Sequence, residues 1–165
     1  MSEHLRVSPR PIVVERTLRH REEDVAQRFL GDPANWLPGR ITMRGASTFH
    51  ARLRVLGAMQ EVQYLVGTPW TRGSTVTRRL RVQFPEPPLG MAWVMPVVDG
   101  ELTVDGRPPR TVGFEGAPVG NGMFDAHRLA GARVMRLLTA GVADRLASPS
   151  VRIARTGRAQ RWKAP

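Results

Sequence analysis

MFDAHRLAGARVMRLLTAGVADRLA, residues 123–147, is the one long stretch of the chain with a sustained helical period. At about 3.6 residues per turn, His127, Ala130, Gly131, Val134, Leu138, Val142 and Leu146 fall along one side. Met135, Leu137 and Gly141 widen that side, while Arg128, Arg133, Arg136, Asp144 and Arg145 fall elsewhere. Such a helix runs about 37 Å, longer than is usual in globular proteins, so its apolar side needs a broad partner surface. Only the strand-rich middle of the chain can supply one. The spacing therefore predicts an α+β fold in which a curved antiparallel sheet wraps around a long C-terminal helix.

The segments upstream fit that expectation. Residues 40–114 alternate with a period near two and are broken often by Gly and Pro, the pattern of an antiparallel meander. TFHARLRVLG puts Phe49, Ala51, Leu53 and Val55 on one face and His50, Arg52 and Arg54 on the other. In MQEVQYLVG the inward set is Val62, Tyr64 and Val66, and TPWTRG reads as a turn. STVTRRLRVQF aligns Val76, Leu80, Val82 and Phe84, with Arg78 at the same inward parity. An arginine there either snorkels at a sheet margin, the favoured reading, or points into a polar cavity. PEPPLG interrupts the ladder, MAWVMPVVDGELTV resumes it with Trp93 and Met95 sharing a parity, and a turn at Asp105-Gly106 leads to RTVGFEG with Val112 and Phe114. Before the meander, PIVVERTLRH reads as a strand and REEDVAQRFLGDP as a short helix. Glu22, Glu23 and Asp24 lie in the helix's first turn and Gly31 and Pro33 follow its end. Trp36, in the compact DPANWLPG turn, is placed to plug one end of the core.

Length and composition bound the rest. The 165 residues suit one domain, divided into a leader without regular structure (1–10), a folded unit (11–148) and a flexible basic tail (149–165). With no cysteine, disulfides, thiolate metal sites and cysteine nucleophiles are excluded. His4, His20, His50 and His127 are too scattered for a metal site, and no cofactor motif is implied. Gly120-Asn121-Gly122 lacks the partners of a phosphate loop and reads as the entry turn to the helix. The N-terminal residues lack an apolar signal core and no run is long enough to span a membrane, which predicts a cytoplasmic protein. Of the net charge of +11, the last fifteen residues hold five basic groups and no acid. Arg152, Arg155, Arg158, Arg161 and Lys163, with Trp162 among them, make residues 151–165 a possible weak contact for anionic membrane or nucleic acid. A solvated tail is the simpler reading.

The order of elements, strand, short helix, DPxxW turn, antiparallel meander and long final helix, resembles that of the START-like (SRPBCC, polyketide cyclase/dehydrase-like) superfamily. VVERTLRHREEDVAQRFLGDPANW, the FHARLRVLG and MQEVQYLVG pair, VMPVVDGELTVDG and AHRLAGARVMRLLTAGVADRLA carry the likeness, across about residues 11–148. The resemblance implies a helix-grip fold with a cavity between sheet and helix, and binding of a small hydrophobic, lipid- or polyketide-like ligand without catalysis or with weak catalysis. It transfers no catalytic residue by position.

An apolar void of ~300 Å³ left empty would cost about 7 kcal/mol, so a cavity here must be small, wet or filled. Its candidate lining is Tyr64, Arg78, Trp93, Met95, Phe114, Met123, His127, Gly131 and Met135. Each has an ordinary core role as the alternative. His127 lies on the apolar side near the helix start, where the dipole disfavours imidazolium, and is suited to orient an oxygenated ligand. A cyclase-type enzyme would instead use His127 as general base, with Tyr64 or Arg78 stabilising an enolate.

Overall fold

The structure, a computed structural model, describes residues 11–18, 22–55, 57–84, 97–118 and 125–147, but not the side chains at 22–24, 118 and 125–132. It contains β1 (Ile12–Thr17), α1 (Glu22–Leu30), a 3-10 turn (Pro33–Asn35), β2 (Arg40–Arg44), β3 (Thr48–Val55), β4 (Ala58–Val66), β5 (Trp70–Arg72), β6 (Thr75–Gln83), β7 (Val97–Asp105), β8 (Thr111–Pro118) and α2 (Asp125–Ala147). All eight strands form one antiparallel sheet in the order β1-β8-β7-β6-β4-β3-β2, with β5 also pairing β6. The α+β architecture read from the sequence, a large antiparallel sheet packed against a C-terminal helix, is the one observed.

Alternation decides the sheet's two faces. Phe49, Ala51, Val62, Tyr64, Leu80, Val82, Val98, Leu102, Val112 and Phe114 are all at most 2% exposed and join one apolar cluster with α2. The period of two is what lets each strand give one face to that core and the other to solvent. Between β7 and β8, Gly100 sits directly opposite Gly116. The missing side chains leave a bare patch on which the Phe114 ring lies: a Cβ would meet Cζ of Phe114 at 2.8 Å from Gly100 and 2.5 Å from Gly116. Gly39 does a similar service with φ +95, since a Cβ there would meet the Arg52 carbonyl at 2.9 Å. That approach brings the Trp36–Pro38 segment onto the sheet.

The 23-residue α2 packs chiefly on β1 and β8 and also touches β6 and α1. Val134, Met135, Leu138, Val142 and Leu146 are buried, in line with the helical period. Leu137 is 54% exposed, against expectation, whereas Thr139, Ala143 and Ala147 are buried. The apolar arc is thus displaced around the helix from the one hydrophobicity marks, and α1 and the Pro38 segment also approach the helix's C-terminal half. Arg28 Nη1 donates to the Arg145 carbonyl at 3.1 Å, and Pro38 Cγ would lie 3.4 Å from a Cβ at Gly141. At the helix's other flank Arg16 Nε of β1 donates to Asp144 Oδ1 at 2.7 Å.

TPWTRG is the other departure. Its middle residues form β5, a three-residue strand whose Trp70, Thr71 and Arg72 pair with Thr77, Val76 and Thr75. So short a strand has too few residues to show a period and exists through its pairing with β6.

Candidate functional site

The inner face of the sheet is the surface against which the family resemblance implies a ligand. Trp93, Met95 and Met123 lie outside the described residues; His127 and Gly131 lie on α2, where only the backbone is described. Phe114 and Met135 are inner-core residues, 1% and 2% exposed.

Tyr64, on β4, is fully buried, and its hydroxyl donates to the Pro38 carbonyl at 3.0 Å. Burial pushes the phenol well above the usual tyrosine range, with Arg145 nearby pulling weakly the other way. The hydroxyl is therefore a neutral donor already in use, tying the segment after the 3-10 turn to the sheet.

Arg78 is only 8% exposed, and two of its guanidinium nitrogens are held by backbone carbonyls instead of water. Nε donates to the Gly67 carbonyl at 2.9 Å, and Nη1 donates to the carbonyls of Phe29 at 2.8 Å and Gly31 at 3.2 Å. The last carbonyls of a helix have no partner within it and form the negative end of its dipole, so a cation placed there is doubly favoured. The guanidinium carbon also stands 5.9 Å from the Trp36 ring centre, and Trp36 packs on Phe29 with centroids 5.7 Å apart. Burial lowers the arginine pKa from its usual value, and the three carbonyls compensate the lost water. Arg78 thus closes the end of α1 against β6. The parity of β6 put this side chain inside; nothing in the sequence marks which carbonyls it reaches, since every residue carries one. The Trp36 indole, fully buried as a plug for the core, keeps its Nε1 without a hydrogen-bond partner among the described residues.

The enolate-stabilising donors of a cyclase would be Tyr64 and Arg78, and both are engaged with backbone carbonyls on the inner side. Among the described residues no three His, Asp or Glu side chains gather as a metal site. No helix among them is long and apolar enough to cross a membrane. The basic tail, 149–165, lies outside the described residues.

The opposite face is polar. Asp99 accepts from Arg79 at 3.1 Å and Arg81 at 3.4 Å, and His50 stands 3.6 Å from Glu61. Two grooves open there. One, about 400 Å³, is lined by Leu65, Gly67, Arg79, Arg81 and Asp99. The other, about 570 Å³, is lined by Trp70, Arg72, Ser74, Thr77, Glu101 and Arg107. The sequence reading missed the second because it took its Trp70 wall for a turn.

No family model matches the sequence, and no curated protein matches it. Among solved structures, a hypothetical protein from Sulfolobus tokodaii is similar at 18% identity and a TM-score of 0.45, over 91% of this chain and 98% of that one. Major latex-like protein 151 from Panax ginseng is similar at 10% identity and a TM-score of 0.44, over 80% and 98%. The Aha1 dimer from Colwellia psychrerythraea is similar at 15% identity and a TM-score of 0.40, over 84% and 96%. Scores of this size carry no chemistry from those proteins to this chain.

Proposed function

We propose that the chain is a START-like helix-grip protein that holds a small hydrophobic molecule between the inner face of its sheet and the N-terminal half of α2. The observation that supports this most is the apolar inner face itself, continuous from Phe49 on β3 to Phe114 on β8. Of its polar members, the Tyr64 hydroxyl and Nε and Nη1 of Arg78 are engaged with carbonyls, so recognition rests chiefly on apolar contact. A ligand that removed about 300 Å² of apolar surface from water would gain about 7.5 kcal/mol at ~25 cal/mol per Å², before the cost of immobilising it. His127, in the first turn of α2, is the residue we assign to orient a polar end of the ligand.

The test is uptake of N-phenyl-1-naphthylamine by the purified, folded protein, with native mass spectrometry of the same sample for a co-purified ligand. The expected outcome is saturable one-to-one binding of the probe, displaced by medium-chain fatty acids and weakened by Met135→Trp, which fills the inner side. A folded protein that carries no extractable molecule and takes up no probe would overturn the reading.

A further inference from the structure

We propose that the outer face of the sheet carries a separate polar site for a small molecule joining a flat ring to a phosphate, the chemistry of a nucleoside monophosphate. The site is built by strand register. On the outer side of β6, Thr75 lies between Arg72 of β5 and Asp105 of β7, and Thr77 lies between Trp70 and Thr103. Short side chains on the middle strand and long ones to either side make a trough whose floor is hydroxyl-bearing. Its volume, about 570 Å³, falls in the ~300–1,000 Å³ range of small-molecule sites.

Each wall offers a different kind of contact. Trp70 is 44% exposed, leaving indole surface on which a ring can stack. Arg72 and Arg107 line the trough from different elements. Arg72 has no ion-pair partner among the described residues, and Arg107 Nε stands 3.7 Å from Asp105 Oδ1 with 77% of its side chain exposed. Two guanidinium groups suit a phosphate, which they can engage with paired N–H donors. Thr77 is 7% exposed yet lines the trough, and its hydroxyl has no hydrogen-bond partner among the described residues. Its hydroxyl is not among the buried unpartnered atoms, so it opens into the trough, where it can bond a ligand oxygen in place of water. Glu101 is an acceptor for sugar hydroxyls or a ring amine.

Carboxylates along the same face weigh against a long run of phosphates. Beyond the trough, Arg79 and Arg81 share the single carboxylate of Asp99, which offsets one of their two charges. Glu101 also opposes a run of phosphates.

The experiment is isothermal calorimetry on the full chain with AMP, GMP, CMP and UMP, and with adenosine and inorganic phosphate as the separate halves. At least one nucleotide is expected to bind at micromolar to millimolar levels, about tenfold or more tighter than either half. Trp70→Ala is expected to weaken it about tenfold, and the Arg72→Ala/Arg107→Ala double variant to bring it down to the level of the nucleoside. Thermal melts of these surface variants report folding. The proposal is overturned if no nucleotide binds, if binding ignores both sets of substitutions, or if affinity climbs with length across short oligouridylates, which marks a nucleic-acid strand as the partner. The site is on the opposite face from the proposed hydrophobic one, so uptake of the naphthylamine probe should be indifferent to Trp70→Ala.

Discussion

Arg78 and Arg79 are consecutive on β6 and face opposite sides of the sheet. The inner one is 8% exposed and holds three carbonyls at the junction of α1 with the strand. The outer one has 67% of its side chain in solvent and meets Asp99 at 3.1 Å. The same functional group is a structural clamp on one face and a loosely held surface charge on the other. What differs is water: where it is excluded each polar atom must be matched, and where it is present the pair gains little over hydration.

The sharpest way to break this contrast is to remove each arginine in turn. Arg78→Ala leaves the carbonyls of Phe29, Gly31 and Gly67 without their donor and opens space beside Trp36. It is expected to cost about 3 kcal/mol in urea unfolding. Arg78→Lys restores the charge but not the two-nitrogen geometry and should recover only part of that loss. Arg79→Ala is expected to stay within ~1 kcal/mol of the parent. Equal losses at the two positions would remove the distinction between the faces.

That distinction was half legible in the sequence. Parity alone puts Arg78 inside and Arg79 outside, and it sorts Phe49, Val62, Tyr64, Leu80 and Phe114 correctly, because a strand's side chains alternate whatever they touch. The role of Arg78 was not legible, since its partners are main-chain carbonyls brought close by α1, far away in sequence. The arc of α2 shows the same limit. Hydrophobicity assigned Leu137 to the buried side, yet Leu137 is exposed while Thr139 and Ala143 are buried; which arc is covered is set by tertiary packing, which no period within the helix encodes. The outer trough was invisible for another reason: it needs three strands in register, and one of them, β5, is three residues long. Of the lining residues proposed for the inner site, Trp93, Met95 and Met123 lie beyond what the structure describes.

A second inner-face group gives a smaller and pH-resolved effect. Tyr64→Phe leaves the Pro38 carbonyl without its donor and is expected to cost about 1–2 kcal/mol. Burial raises the phenol pKa in the folded state above its unfolded value near 10, so above pH ~10 the unfolded chain releases a proton that the folded chain keeps. Tyr64 thus makes stability fall as pH rises past that point. The variant should be less stable at neutral pH but show a shallower alkaline decline; the check is a series of urea midpoints from pH 8 to 11.5. An unchanged alkaline slope would mean the phenol already ionises in the folded protein.

The smallest expected effect belongs to an exposed pair, and it tests whether the outer rule holds where a charge also serves the backbone. Asp32 caps the 3-10 turn by accepting from the Ala34 N–H at 3.0 Å, and it meets Arg44 of β2 at 2.7 Å and 3.0 Å. The Arg44 hydrogen bonds, then that of Ala34, hold its pKa below the usual aspartate value. A carboxyl whose pKa is lowered by folding stabilises above its unfolded pKa and loses that contribution as pH falls through the lowered value. Asp32→Asn should therefore lower the melting temperature slightly at pH 7 and flatten its fall below about pH 4. The amide can still accept from Ala34 but no longer carries charge, so the difference between the two curves isolates the ion pair from the cap. If Asp32→Asn matches the parent at every pH while Asp32→Ala is less stable throughout, the cap alone contributes and Arg44 behaves as a free surface charge, as Arg79 is expected to do.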